Sequence, residues 1–339
     1  METTAKTQTV PAINTSKHVK YSKIKDFICE KIVVFLTMLS ALMILFIFYF
    51  VLSKAMPVIK ASGIGFIIKD GFDQQLSDAY FADGGQKNLV FGAYGLLMGS
   101  LFTTIGSLLL AIPLGVGTAV VIAELAPVQI RNLLQSVTRL LASIPSIIYG
   151  LVGLMIVVPF ISSTLITNEM QTKYITRFQL AGNSMLAGIV VLAIMVMPII
   201  TAVSVDAIRS VPFRYKEASL ALGLTYWRTI VKVVLPVAKS GIVAGVILAT
   251  GRAIGEAIAL SMVTGGIGNI PRISDGFVFF LTPILTLASA IVNKSEAMSV
   301  PTIESALFAC GVLLLVSNTI LTLIAKSIER SFRRSEGIE

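Results

Sequence analysis

Six stretches of this chain are each long and apolar enough to cross a bilayer: about 32–52, within 89–123, and about 140–161, 185–208, 241–264 and 305–325. Roughly 20 apolar residues at about 1.5 Å each cover the hydrocarbon core of a membrane. No water reaches that layer, so backbone N–H and C=O groups must pair within the segment, and helices are the default solution. The sequence therefore predicts an all-α, polytopic membrane protein with six transmembrane helices. A seventh stretch, 277–292, has 16 residues with Pro283 in its middle. It is short for a span and reads as an interfacial or re-entrant piece.

Composition supports the same class. Charged residues make up 13% of the chain and the AVILMFWYC set 55%, where a soluble domain carries about 25% charged residues. So few charges cannot cover a water-facing surface. Disorder, a collagenous repeat and a disulfide scaffold are excluded on the same grounds. The net charge of +9 would point to nucleic acid in a soluble protein, but here the cations cluster in alternate loops. Segments 1–31, 124–139, 209–240 and 326–339 hold 18 Lys and Arg, against 8 in 53–88, 162–184 and 265–304. The positive-inside rule places the first group, and with it both termini, in the cytoplasm. A spanning 277–292 would put the basic C-terminal tail outside, against that rule. His18, Cys29 and Cys310 are too few for a His/Cys metal cluster, and no cofactor is expected. The two cysteines fall near different faces, so no disulfide is expected either. The first apolar stretch begins near Ile32 behind a polar tail that reads as disordered; no cleavable signal peptide is evident.

Small-xxx-small pairs recur in the spans: Gly95/Gly99, Ala111/Gly115, Gly241/Gly245 and Gly251/Gly255. They permit close helix packing in lipid and say nothing of substrate. Segment 209–240 is too basic to cross. Pro212 can open a helix there, Val211, Tyr215, Ala218 and Leu222 recur at helical spacing, and Gly223 breaks it. A second helical piece is expected from Tyr226 to Leu235, with Pro236 re-setting the chain. An amphipathic helix of this kind suits docking into a partner's groove or lying on a lipid surface.

The spacing of Glu217, Ala218, Gly223, Val233, Leu235 and Pro236 resembles the EAA loop of ABC-transporter permeases, E-A-A-x3-G-x9-I-x-L-P. Ser219 stands for the second Ala and Val233 for the Ile. The resemblance implies a coupling helix that docks on a nucleotide-binding subunit. The chain lacks a G-x-x-x-x-G-K-[ST] phosphate loop, so it reads as a transport subunit without its own ATPase site, served by separate ATPase polypeptides.

The fifth stretch contains Arg252 and Glu256, four apart and hence on one face of a continuous helix. A charge at mid-span costs at least about 2.5–3.5 kcal/mol, so it faces a pathway or a partner; a purely structural buried ion pair is the plain alternative. A guanidinium fork matches the oxygens of an oxyanion, and a nearby carboxylate keeps such a site from binding too tightly. The surrounding 251–265 (GRAIGEAIALSMVTG), with 112–127 and 141–159, resembles the phosphate-specific permeases PstC and PstA. Tyr149 and 63–66 (GIGF) favour the PstC type. This resemblance implies that Arg252 and Glu256 belong to a phosphate pathway.

It further implies the MetI-like fold of ABC importers. The organisation is then a cytoplasmic tail (1–31), a first span (32–52), an external segment (53–88), a permease core (89–325) carrying the coupling loop, and a cytoplasmic tail (326–339). The implied partners are a PstA-like second permease, two PstB-like ATP-binding subunits and a PstS-like phosphate-binding protein docking on the external face, all in a bacterial cell membrane. A permease for sulfate, molybdate or phosphonate, an ion-coupled secondary transporter with Glu256 as proton site, and a membrane scaffold or sensor are the competing readings. Among lesser polar groups, Asp206 and Arg209 read as a local salt bridge and Arg139 as an interface marker. Ser143 and Ser146 read as anion donors or as caps of a helix entrance, and Thr250, Ser261 and Thr264 as bonding back to their own helices.

Overall fold

The computed structural model describes residues 15–81 and 89–335, with side chains for 26–81, 89–327, 329 and 330. The tail at 1–14 and Asp83 lie outside these residues. Six described helices are long and apolar enough to cross a membrane: Asp26–Ser62, Tyr94–Leu125, Ser146–Thr164, Met185–Arg209, Tyr226–Ile254 and Pro301–Ser327. They correspond in number and order to the six stretches in the sequence.

The chain divides into two compact units, Met1–Ser53 and Lys54–Glu339. The first is helical from Thr15, and most of its large apolar side chains from Phe27 to Leu52 are exposed. A helix apolar on every side needs a lipid or protein environment around it.

The second unit is built around Met185–Arg209, which packs against Tyr94–Val120 on one side and Leu235–Ile254 on another. Small residues set these approaches. A Cβ on Gly115 would lie 3.0 Å from Ile200, one on Gly245 3.0 Å from Val203, and one on Gly99 2.8 Å from the Leu285 carbonyl. Gly251 meets nothing within 4 Å, so the Gly251/Gly255 pair is not a packing seam.

Residues 63–81, which follow the first long helix, are folded. The helix Phe72–Phe81 buries Phe72, Leu76 and Ala79, and Asp73 accepts a 2.6 Å bond from the Gly268 N–H. Stretch 277–292 forms two short helices, Val278–Leu281 and Leu287–Asn293, and residues 281–290 are buried throughout. Its irregular backbone is satisfied by protein. Ile284 N–H donates to Thr264 O (2.8 Å), Met185 N–H to Thr282 O (3.0 Å) and Leu287 N–H to Ser100 Oγ (2.8 Å). Non-helical backbone at membrane depth is tolerated only when enclosed in this way.

Two spans begin and end elsewhere than the hydropathy profile places them. The stretch 140–161 is divided: a separate helix, Val128–Ser143, ends at Ile144, and the span starts at Ser146. Ile144 precedes Pro145 and takes ψ 132°, because the proline ring disfavours the helical region for the residue before it. The fifth span begins at Tyr226, so it absorbs most of the second half of the basic loop. Pro236 does not re-set the chain. It follows a π-helical turn, Ile230–Val234, and sits in the first turn of Leu235–Ile254, where its missing N–H is accommodated.

Candidate functional site

The fifth span stops at Ile254, and a new helix starts at Ile258 and runs to Val263. Arg252 therefore occupies the last turn of one helix and Glu256 the connection to the next. The expected single face for the two residues is absent, because no helix joins them. Among the described residues no ion pair links them. Each is served by a helix end. Arg252 Nη1 donates to the carbonyl of Ala142 at 3.3 Å, in the last turn of Val128–Ser143. The guanidinium thus lies where two helices present their carbonyl-rich, partially negative ends. Glu256, only 8% exposed, accepts the Ala259 N–H at 3.0 Å at the positive start of the short helix.

This arrangement leaves the arginine under-used. A guanidinium has five N–H donors, yet Arg252, half-buried, makes one long hydrogen bond among the described residues. At the neighbouring Gly251 an added Cβ would meet nothing within 4 Å. Tyr149 donates to the Leu141 carbonyl at 2.8 Å. Two side chains from the third and fifth spans thus hold successive carbonyls at the end of one amphipathic helix. Chemically the site is a single cation with donors to spare, with Tyr149 bonded to the adjacent carbonyl of the same helix end and, at the start of the next helix, a carboxylate whose acceptor is partly committed.

The lesser polar groups resolve as follows. Thr250 bonds back to Val246, Ser261 to Ile258 and Thr264 to Leu260. Ser143 donates to Leu140, and no side chain caps the helix that starts at Ser146. No described ion pair joins Asp206 to Arg209; Asp206 instead lines a small depression with Gln135, Thr138 and Arg139.

The loop residues form a second cluster, well apart in sequence. Pro212 precedes the helix Phe213–Ala221, and Gly223 reverses the chain with φ +80°, a conformation open to glycine at little cost. Glu217, Ala218 and Gly223 are exposed, as are Phe213, Leu220, Leu222 and Trp227. The opposite side is tied down. Ser219 and Thr229 share a buried 2.9 Å hydroxyl bond, which gives the Ser a role the Ala of the loop pattern lacks. Lys216 Nζ lies 2.6 Å from Glu124 Oε1, and Tyr226 donates to Glu124 Oε2 at 2.9 Å. Leu235 and Pro236 belong to the fifth span, behind the loop. Sequence reasoning missed Glu124; the available signal was an acid placed directly after the second apolar run, in AELAP.

Within the second unit an exposed helix is anchored beside long apolar helices, one of which ends in an irregular polar break, an arrangement suited to a membrane transport protein. Residues 111–334 match the family of binding-protein-dependent transport system inner membrane components, and the chain belongs to that family. It is thus a permease component of an ABC importer, a class that works with ATP-hydrolysing and substrate-binding partners. It is 36% identical over 236 residues, 70% of this chain and 71% of the relative, to the probable ABC transporter permease protein YqgH of Bacillus subtilis. The phosphate transport system permease protein PstC of Mesorhizobium japonicum is 34% identical, with 70% and 72% of the two chains covered. PstC of Mycobacterium leprae is 31% identical, with 82% and 85% covered. Two solved structures share the fold. One is an inward-facing MetNI methionine ABC transporter (TM-score 0.50, 20% identity, 69% and 93% covered). The other is a bacterial ABC transporter for the import of alginate (TM-score 0.50, 16% identity, 87% and 95% covered).

Proposed function

We propose that this chain is the PstC-type subunit of an ATP-driven phosphate importer. It lines the translocation pathway together with a PstA-like permease. Two PstB-like subunits hydrolyse the ATP and grip Phe213–Ala221 through the exposed Glu217, Ala218 and Gly223. A PstS-like protein delivers phosphate to the face formed by residues 53–81 and the 265–276 connection. Both termini and the coupling helix are cytoplasmic, in keeping with the distribution of Lys and Arg.

The observation that carries the reading is Arg252 itself: a half-buried guanidinium with one weak internal bond and a fork suited to two oxygens of a tetrahedral anion. Arg252 compensates the anion's charge in transit, while Glu256, held in place by the Ala259 N–H, limits how tightly the anion is held. The relatives named as phosphate permeases support phosphate over other oxyanions. Catalysis of ATP hydrolysis stays with the partners.

Reconstitution tests this. Proteoliposomes holding the chain with its permease, ATPase and binding-protein partners are expected to take up labelled phosphate only with ATP, and excess sulfate or molybdate is expected not to compete. Uptake by this chain alone under a proton gradient would overturn the reading in favour of a secondary transporter.

A further inference from the structure

Glu124 stands where three elements meet. It lies in the π-helical turn Val121–Leu125 that ends the second span, and its side chain is only 3% exposed. One carboxylate oxygen is 2.6 Å from Lys216 Nζ, itself 15% exposed, on Phe213–Ala221. The other accepts the Tyr226 hydroxyl at 2.9 Å, and that hydroxyl also reaches the Glu124 carbonyl at 3.1 Å. Tyr226 is the first residue of the fifth span's helix. Arg131, from the following helix, donates to the Ala126 carbonyl at 3.1 Å and steadies the same corner. A single buried carboxylate thus binds the exposed helix, the second span and the fifth span, and the fifth span carries Arg252.

Around this carboxylate the packing is apolar: Ile122, Ala123, Val205, Val211, Ile230 and Val234 form one buried cluster. Apolar packing is non-directional and lets surfaces slide. An ion pair shielded from water with a fixed hydrogen-bond partner has direction, and losing one member leaves an unpaired buried charge. The joint therefore turns displacement of the Phe213–Ala221 helix into displacement of two spans together, where apolar contact alone would let the helix slip.

We infer that Glu124, with Lys216 and Tyr226, is a positioning device that transmits movement of the cytosolic helix to the translocation pathway. This rests on the coupling role given above to Phe213–Ala221. It needs no contact between Glu124 and substrate or nucleotide.

The experiment measures ATP hydrolysed per phosphate imported, per assembled complex, in proteoliposomes made with Glu124→Gln, Tyr226→Phe and the exchange Glu124→Lys/Lys216→Glu. Co-purification of the ATPase subunits is scored first, on the unmodified chain. If they do not come down with it, the coupling reading itself fails. If they do, Glu124→Gln is expected to keep hydrolysis while uptake falls about tenfold, so that the ratio rises by the same factor. Tyr226→Phe should raise the ratio less, and the exchange should restore it in part. A merely structural role would lower hydrolysis and uptake together through reduced assembly, with the ratio unchanged. An unchanged ratio in assembled Glu124→Gln complexes overturns the inference. Should that variant not assemble, an unchanged ratio in Tyr226→Phe does so.

Discussion

The two polar regions of this permease hold their charges in opposite ways. At the loop end of the bundle, the Glu124 side chain is nearly sealed from solvent and engaged on both oxygens, by Lys216 and Tyr226. At the break in the fifth span, Arg252 is half-buried and makes one 3.3 Å bond to a carbonyl. A buried charge held on both oxygens fixes geometry, because movement leaves it unpaired away from water. A charge with donors in reserve is free to take a ligand and to give it up. On the reading proposed above, the difference separates the part of the molecule that carries force from the part that handles cargo.

The comparison is broken most severely at the loop. Gly223 sits at φ +80°, which the proline ring forbids. Gly223→Pro is expected to misdirect the exposed helix and cut ATP-driven phosphate uptake roughly a hundredfold, with the protein still present in the membrane. Wild-type uptake by that variant would refute the docking role. Arg252→Lys keeps the charge and loses the fork. Giving up one of two charge-assisted bonds weakens anion handling by about 1.5 kcal/mol, or about tenfold. The measurement is phosphate uptake at limiting substrate; an unaltered rate would make bidentate recognition unnecessary.

Smaller effects sharpen the same contrast. Glu256→Ala removes the acceptor for the Ala259 N–H and is expected to lower stability by about 1 kcal/mol, the usual worth of a cap. Glu256→Gln should lose less, since its amide oxygen still accepts. Thermal unfolding of the purified complex distinguishes the two. Gly251→Ala places its methyl group where nothing lies within 4 Å. Its effect on stability is expected to stay within about 0.5 kcal/mol, and any larger loss would mean the space at Gly251 is filled by packing.

Much of this was readable in the sequence, because long apolar runs report directly on the solvent they must face. The span count, the Pro212 helix start and the Gly223 turn all follow from strong local chemistry. The break between Ile254 and Ile258 was not readable. Residues 241–264 are apolar almost throughout, and a helix interrupted by Gly255-Glu256-Ala257 has the same hydropathy as an unbroken one. At the break the backbone groups turn to local partners instead: the Gly255 and Glu256 N–H groups to the Ala253 carbonyl, and the Ala259 N–H to the Glu256 side chain. The division at Ile144-Pro145 was missed for a related reason. Pro145 was visible, but the apolar face of Val128–Ser143 merged with the span behind it. Glu124 was overlooked because its partners are about 90 and 100 residues away in the chain, a distance across which local pattern carries no information.

The central claim is that Arg252 handles the anion while separate subunits supply the work. The most direct measurement is uptake of labelled phosphate by proteoliposomes carrying the Arg252→Ala complex, with ATP hydrolysis followed in the same vesicles. Hydrolysis that continues while uptake falls about a hundredfold, as expected for losing a bidentate charge-assisted contact of about 3 kcal/mol, is the predicted result. Phosphate import at the normal rate without that guanidinium would contradict it.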